Sequence, residues 1–232
     1  MRIAVVSCWK YRDAWRPMLE LLEKFWDPIR PNSVHFVTDQ LVKDEPHYRA
    51  LGRFVDGFFS INRDASWSEV VAEYASGSDE PILLLQEDFF LNAAVNEELV
   101  AKGYALLMCR DNIGAVRLYP CPGATDASDD PYFGPVARHS AYRTSCQATI
   151  WKPAYLKAIA ERYSTPAEFE IEGSRWASEH LPAEVWAFKR EVQPWPISYF
   201  CSAISRGKWE PAALEFCRQQ GIEVDTSMRG IA

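Results

Sequence analysis

The stretch PILLLQEDFFLNAAV, residues 81–95, decides the reading of the fold. Its apolar run from Ile82 to Leu85 has the length and composition of a strand buried inside a sheet. The run passes into Gln86, Glu87 and Asp88, and then into Phe89 and Phe90. Two adjacent carboxylates leaving a hydrophobic interior admit two readings. Either they end a strand and cap the next turn, or they belong to a ligand site, since open α/β sheets bind ligands beyond the carboxyl ends of their strands.

Working outward, strand and helix signals alternate through the first half. RIAVVS (2–7) is a short β-branched run, SVHFVTD (33–39) predicts a second strand and FVDGFFSI (54–61) a third. Between the first two, DAWRPMLELLEKFW (13–26) places Trp15, Met18, Leu19, Leu22, Phe25 and Trp26 on one helical face. Asp13 is the expected N-cap there, and Pro17 is expected in a tolerant first turn. SWSEVVAEYA (66–75) reads as another helix, with Trp67, Val70, Val71 and Tyr74 in register. Such alternation implies an α/β domain with a mostly parallel central sheet flanked by helices.

The second half is less regular. IGAVRLYP (113–120) predicts a strand, followed by a loop rich in Pro, Gly and Asp over 120–135 that reads as functional or mobile. SCQATIW (145–151) predicts a strand, KPAYLKAIAERY a short helix, and PISYFCSAI (196–204) another apolar segment. EPAALEFCRQQG closes as a helix with Gly221 at its C′ position. No repeat or linker divides the chain, so one domain over 1–232 is expected.

Composition narrows the function classes. With 48% hydrophobic and 25% charged residues over 232 positions, the chain is globular and long enough for a real core. Its net charge of −7 disfavours nonspecific adhesion to DNA or anionic membranes. No stretch approaches the roughly 20 apolar residues needed to span a bilayer, and the N-terminal apolar run is too short for a signal peptide core. A soluble, cytoplasmic protein is expected. Cys8, Cys109, Cys121, Cys146, Cys201 and Cys217 contain no C-x-x-C pair, which predicts reduced, mostly buried thiols rather than a zinc framework.

The common α/β signatures are absent. No G-x-G-x-x-G follows the first strand, RGKW (206–209) lacks the spacing of a P-loop, and there is neither a G-x-S-x-G elbow nor an H-E-x-x-H helix. Three constellations remain. Glu87 and Asp88 are hard oxygen ligands suited to Mg²⁺ or Mn²⁺ beside a nucleoside diphosphate. SCQATIWKPAYL offers Gln147 and Thr149 on a strand, and Glu168, Glu170 and Glu172 follow among Phe169, Ile171 and Trp176. If extended, that stretch puts the three carboxylates on one face, and apolar walls favour a general base. Finally, Arg206 and Lys208 flank a glycine in a small cationic turn, suited either to a departing diphosphate or to solvent.

Taken in order, VVSCWKYRDAWRPMLELLEKFW, VHFVTD, PILLLQEDFFL, QATIWKPAYL, EFEIEGS and ISRGKW resemble a group of small bacterial and phage glycosyltransferase-like proteins. Their plan is similar to the GT-A fold, and the resemblance spans roughly residues 1–210. It implies a nucleotide-sugar donor, first of all a UDP-sugar, bound by residues 1–110, and an acceptor and catalytic half over 111–232. Ser7, Cys8 and Tyr11 would lie beside base and ribose, with Asp39 at the uridine and Trp67 on the same donor side. QEDFF would stand where GT-A enzymes carry a D-x-D motif. Gln86 departs from that pattern, leaving Glu87 and Asp88, with Asp88 the metal or ribose contact and Mn²⁺ or Mg²⁺ the implied cofactor. Glu170 would be the base of an inverting transfer, with Glu168 the second candidate, and Arg206 or Lys208 would stabilise the leaving diphosphate. Gln147, Arg143 and Trp176 fall on the acceptor side.

The implied acceptor is a surface polysaccharide or lipopolysaccharide glycan. A modified DNA base is the alternative, through a groove of Lys10, Arg12, Arg138 and Arg143. Two rivals stand beside these. A nucleotidyltransferase would carry a glycine-rich first loop, which SCWKYRD lacks. A catalytically silent carbohydrate-binding protein would use the nine tryptophans and ten tyrosines as stacking platforms. The oligomeric state is left open.

Overall fold

The computed structural model of the protein describes residues 1–26, 33–41 and 51–232. Its centre is an eight-stranded sheet whose strands are β1 (Arg2–Val6), β2 (Ser33–Thr38), β3 (Gly57–Ser60), β4 (Ile82–Gln86), β5 (Ile113–Arg117), β6 (Phe133–Pro135), β7 (Thr149–Trp151) and β8 (Glu184–Phe188). They lie side by side in the order β3-β2-β1-β4-β7-β5-β8-β6. β3, β2, β1 and β4 run parallel, as do β5 and β8, whereas β7 is antiparallel to both neighbours and β6 to β8. A two-stranded hairpin, β9 (Ile204–Ser205) with β10 (Lys208–Trp209), stands apart from the sheet.

Among the described residues six α-helices complete the architecture: α1 (Arg12–Phe25), α2 (Trp67–Ser76), α3 (Glu97–Cys109), α4 (Pro153–Ala160), α5 (Pro166–His180) and α6 (Pro211–Gln219). Strand side chains alternate between faces, so the apolar residues of β1 and β4 feed two separate cores. Ile3, Val5, Leu83 and Leu85 pack with α1, α3 and α6, while Ala4, Val6, Ile82 and Leu84 pack with α2, α4 and α5. That arrangement explains why ILLL lacks alternation: both faces of β4 are buried. Among the described residues no helix is long and apolar enough to cross a membrane.

Several local expectations are corrected. α1 begins at Arg12 with Tyr11 at the N-cap, so Asp13 sits inside the first turn, and Pro17 falls in the second turn. SCQATIW is a strand only from Thr149, and PISYFCSAI is irregular until β9 begins at Ile204. The stretch containing Glu168, Glu170 and Glu172 is helical rather than extended. Thr165 accepts from the Glu168 amide while the Glu168 carboxylate caps the Thr165 amide, and Pro166 opens the helix, so local capping overrides the period-two pattern. α3 and β8 were not evident from periodicity. Gly103 interrupts the α3 pattern for a packing reason, since a Cβ there would lie 2.9 Å from Leu118 Cδ2 and 3.2 Å from Phe133 Cζ. The 120–135 loop closes with β6, and the Asp130 carboxylate accepts from the amides of Tyr132 and Phe133, each at 2.8 Å.

Of the six free thiols only Cys146 and Cys217 are buried, while Cys109 and Cys201 are exposed, so the expectation of mostly buried thiols does not hold. Gly221 does follow α6, with φ of +75°, a backbone conformation that glycine adopts without a Cβ penalty.

Candidate active site

Register places the site. Val6 pairs with Val37 on one side and Gln86 on the other, so β1, β2 and β4 end level at one edge of the sheet. Ser7, Asp39, Glu87 and Asp88 leave the strands there, as expected at the carboxyl edge of a parallel sheet. β7 runs the other way, with Thr149 opposite Leu84. The residues before it, Gln147 and Cys146, therefore approach that same edge. A cavity of about 570 Å³ lies between them and is walled as well by Trp67, Glu170 and Ser202.

The groups at the ends of β1, β2 and β4 are held firmly. Ser7 Oγ accepts from Trp15 Nε1 at 2.6 Å. Asp39 Oδ1 accepts from the amides of Trp9 and Gln40, both at 2.8 Å, and from Thr38 Oγ1 at 3.1 Å. Three donors on one oxygen orient the carboxylate and leave Oδ2 for other partners. Cys8 and Tyr11 line the cavity beside it, and burial raises both, the Cys8 thiol to about 11. Gln86 Oε1 accepts from Trp67 Nε1 at 3.0 Å, while its buried Nε2 has no hydrogen-bond partner.

The acidic pair is strongly perturbed by its burial. Burial, followed by the neighbouring charge of Asp88, pushes Glu87 well above the usual carboxylate range. Burial likewise lifts Asp88 to about 6, against a downward pull from its hydrogen bond to Ser202 and from the charge of Arg229. Two neighbouring buried carboxylates are a ready pair of hard oxygen ligands for a divalent cation. Among the described residues, no three His, Cys, Asp or Glu side chains converge into a closed metal cage. Any cation held here would complete its shell from substrate oxygens and water, the usual habit of Mg²⁺.

Glu170 enters from the opposite wall, one turn into α5. Its Oε1 accepts from Ser145 Oγ and from the Cys146 amide, each at 2.8 Å. No protein donor reaches Oε2 among the described residues. Gln147 is fixed by Tyr199, whose hydroxyl donates to Oε1 at 2.7 Å and accepts from the Ala148 amide at 3.0 Å. The Tyr199 ring stacks on Phe89 with centroids 4.4 Å apart, tying the Gln147 wall to the QEDFF turn.

Other sequence candidates lie elsewhere. Glu168 is consumed by the α5 cap, and its amide hydrogen bonds from Ser164 and Thr165 hold it below the ordinary glutamate range. Arg206 and Lys208 are exposed on the β9–β10 hairpin and do not wall the cavity. Arg143 is 2% exposed, with its guanidinium on Tyr155 Oη at 3.0 Å and the Ala183 carbonyl at 2.9 Å. That burial also removes it from the cationic groove expected for DNA. Trp176 stacks on His180, centroids 5.0 Å apart, under the Arg162 guanidinium and away from the cavity.

In place of the hairpin cations the structure supplies two others. Lys10 walls the cavity directly. Arg229 forms a bidentate pair with Asp13 at 2.6 and 2.7 Å, donates to the Lys10 carbonyl at 2.9 Å, and lies 4.4 Å above the Tyr11 ring. A pairing across 216 positions leaves no local signal, which is why Arg229 escaped sequence reasoning.

No family model and no curated protein matches the sequence. Solved structures do match. An active-site mutant of LgtC superposes with a TM-score of 0.56 at 11% identity, covering 95% of each chain. S. aureus TarS gives 0.52 at 11% identity over 82% of this chain, and its 1–349 fragment in complex with UDP gives 0.50 at 12%. This chain spans 35% of the TarS chain and 58% of that fragment. The fold of this chain is the GT-A-like fold that the resemblance implied.

Proposed function

We propose that the chain is a nucleotide-sugar-dependent glycosyltransferase that moves a sugar from a UDP-sugar to a hydroxyl of a glycan acceptor with inversion. One observation carries this reading. Asp39 and the Glu87–Asp88 pair, from the first half of the chain, share a single cavity with Glu170 and Gln147 from the second. The solved complex of a TarS fragment with UDP supports the choice of nucleotide.

In this reading residues 1–110 hold the donor, with Asp39 Oδ2 at the uridine and Tyr11 and Trp67 flanking it. Asp88, with Glu87 beside it, would hold Mn²⁺ or Mg²⁺. When bound, that ion supplies positive charge to the donor diphosphate. Residues 111–232 hold the acceptor, which Gln147 orients. Glu170 Oε2 takes the proton of the acceptor hydroxyl as its oxygen bonds to the anomeric carbon. The bond from that carbon to the diphosphate oxygen breaks, and its electron pair leaves with the nucleoside diphosphate. Lys10 faces the charge that develops there, with Arg229 behind it. The acceptor is taken to be a surface polysaccharide or lipopolysaccharide glycan.

Two measurements test the reading. Calorimetry with UDP, with and without Mn²⁺, should detect binding that the ion strengthens. A donor screen following released nucleoside diphosphate should give turnover on oligosaccharide acceptors and none on hydroxymethylated DNA. Absence of UDP binding under every condition would overturn the donor site, and turnover on DNA would overturn the acceptor.

A further inference from the structure

Arg117 ends β5 with a side chain only 1% exposed. Its hydrogen bonds go to main-chain carbonyls: Nη1 to Pro122 at 2.6 Å, and Nη2 to Tyr142 at 2.7 Å and Arg143 at 2.9 Å. Nε has no partner, and among the described residues no carboxylate pairs with the guanidinium. Burial lowers it to about 10, and the first influence opposing burial is the charge of Glu170. A buried guanidinium without a bonded counter-ion is expensive.

The carbonyls it holds lead directly to the proposed base. After Arg143, the Thr144 amide donates to Ser174 Oγ at 2.9 Å and Thr144 Oγ1 donates to the Phe169 carbonyl at 2.8 Å. Ser145 and Cys146 then grip Glu170 Oε1. Ser178 donates to the Arg138 carbonyl farther along. Glu170, Ser174 and Ser178 recur every four residues, so one face of α5 fastens the whole 138–146 segment. Arg117, from the end of β5, holds that same segment through the Tyr142 and Arg143 carbonyls.

We propose that Arg117 is a positioning residue for Glu170: it fixes the backbone of 142–143, so that Ser145 and Cys146 hold Oε1 and Oε2 is left for the acceptor. This rests on the reading of Glu170 as the base. The test uses the full chain with Arg117→Gln and with Arg117→Lys, which keeps the charge and loses the planar fork.

The first readout is the Cys146 amide resonance in ¹H–¹⁵N spectra. Glu170→Gln should move it, Arg117→Gln should move it in the same direction, and Arg117→Lys should move it less. The second is kinetic. In Arg117→Gln, kcat should fall by on the order of 100-fold, with donor KM and UDP affinity unchanged. Arg117→Lys should recover part of that loss. In a Glu170→Gln background, Arg117→Gln should add nothing, whereas a purely structural role would cost activity again.

A folded Arg117 variant that leaves the Cys146 amide unmoved, or a further loss in the double variant, overturns the proposal. If Arg117→Gln does not fold, Arg117→Lys carries both readouts. If Glu170→Gln keeps full turnover, the base assignment fails, while the amide resonance still reports separately whether Arg117 holds the segment.

Discussion

Asp88→Asn should make the metal-free chain more stable at neutral pH while weakening its grip on the donor. Burial raises Asp88 from the ordinary 3.8 to about 6, a difference worth about 3 kcal/mol. The sign follows from proton linkage. Folding favours the protonated acid, so between about pH 4 and 6 the folded chain binds more protons than the unfolded one. The contribution is therefore fully present below pH 4 and is lost as pH rises through 6. At pH 7.5 the ionised Asp88 opposes folding by about 3 kcal/mol, and the amide removes that opposition. Relief extends to Glu87, whose second source of elevation is the Asp88 charge. For a chain of this length the gain corresponds to roughly 6–12 °C in Tm. Thermal melts of both proteins in a chelator at pH 4.5 and 7.5 measure it, with the full gap expected at the higher pH and about a third of it at the lower. Added Mn²⁺ and UDP should stabilise the wild type and much less the variant. A variant less stable than wild type at pH 7.5, or a gap equal at both pH values, would refute the reasoning.

Four further outcomes follow from the same geometry. Glu170→Gln should lower turnover by roughly 10²–10⁴-fold, with the calorimetric signal for UDP unchanged. Glu168→Ala removes half of the α5 capping box, so it should lower Tm and leave kcat at the wild-type value, whereas a loss of kcat in the folded protein would return Glu168 to the catalytic set. Arg229→Gln leaves Asp13, whose side chain is fully buried, without its guanidinium; urea unfolding should show a loss of about 3–5 kcal/mol. By contrast, Arg206→Ala with Lys208→Ala should leave UDP affinity unchanged, because neither side chain walls the cavity.

How much of this was legible depended on the range of the interactions. β1, β2 and β4 declared themselves through short runs rich in β-branched and other apolar residues, a property of a few adjacent residues. Asp39, Glu87 and Asp88 follow such runs, so their place at the carboxyl edge was already implied. The helical state of EFEIEGS was written locally too, in Thr165, Pro166 and Glu168, but the alternation of carboxylates with Phe169 and Ile171 masked it. Glu170 lines the cavity even so, because one helical turn and an extended strand both project it from the same short segment.

What tertiary structure alone decided was which charges face one another. The amino-acid order fixes local conformation, through side-chain period, capping and chain stiffness, and these act over a few residues. Charges pair through space, where the fold has brought distant segments together. Arg206 and Lys208 looked like the cations of the site because they flank a glycine beside an apolar segment, yet the hairpin turns them to solvent. Arg229 lies 216 positions from Asp13 and reaches the segment after β1 only because the C-terminal residues fold back upon it. Arg143 and Arg117 carry the same guanidinium as any surface arginine, and only the packing of β5, α4 and α5 around them makes one an anchor to Tyr155 and the other a clamp behind Glu170.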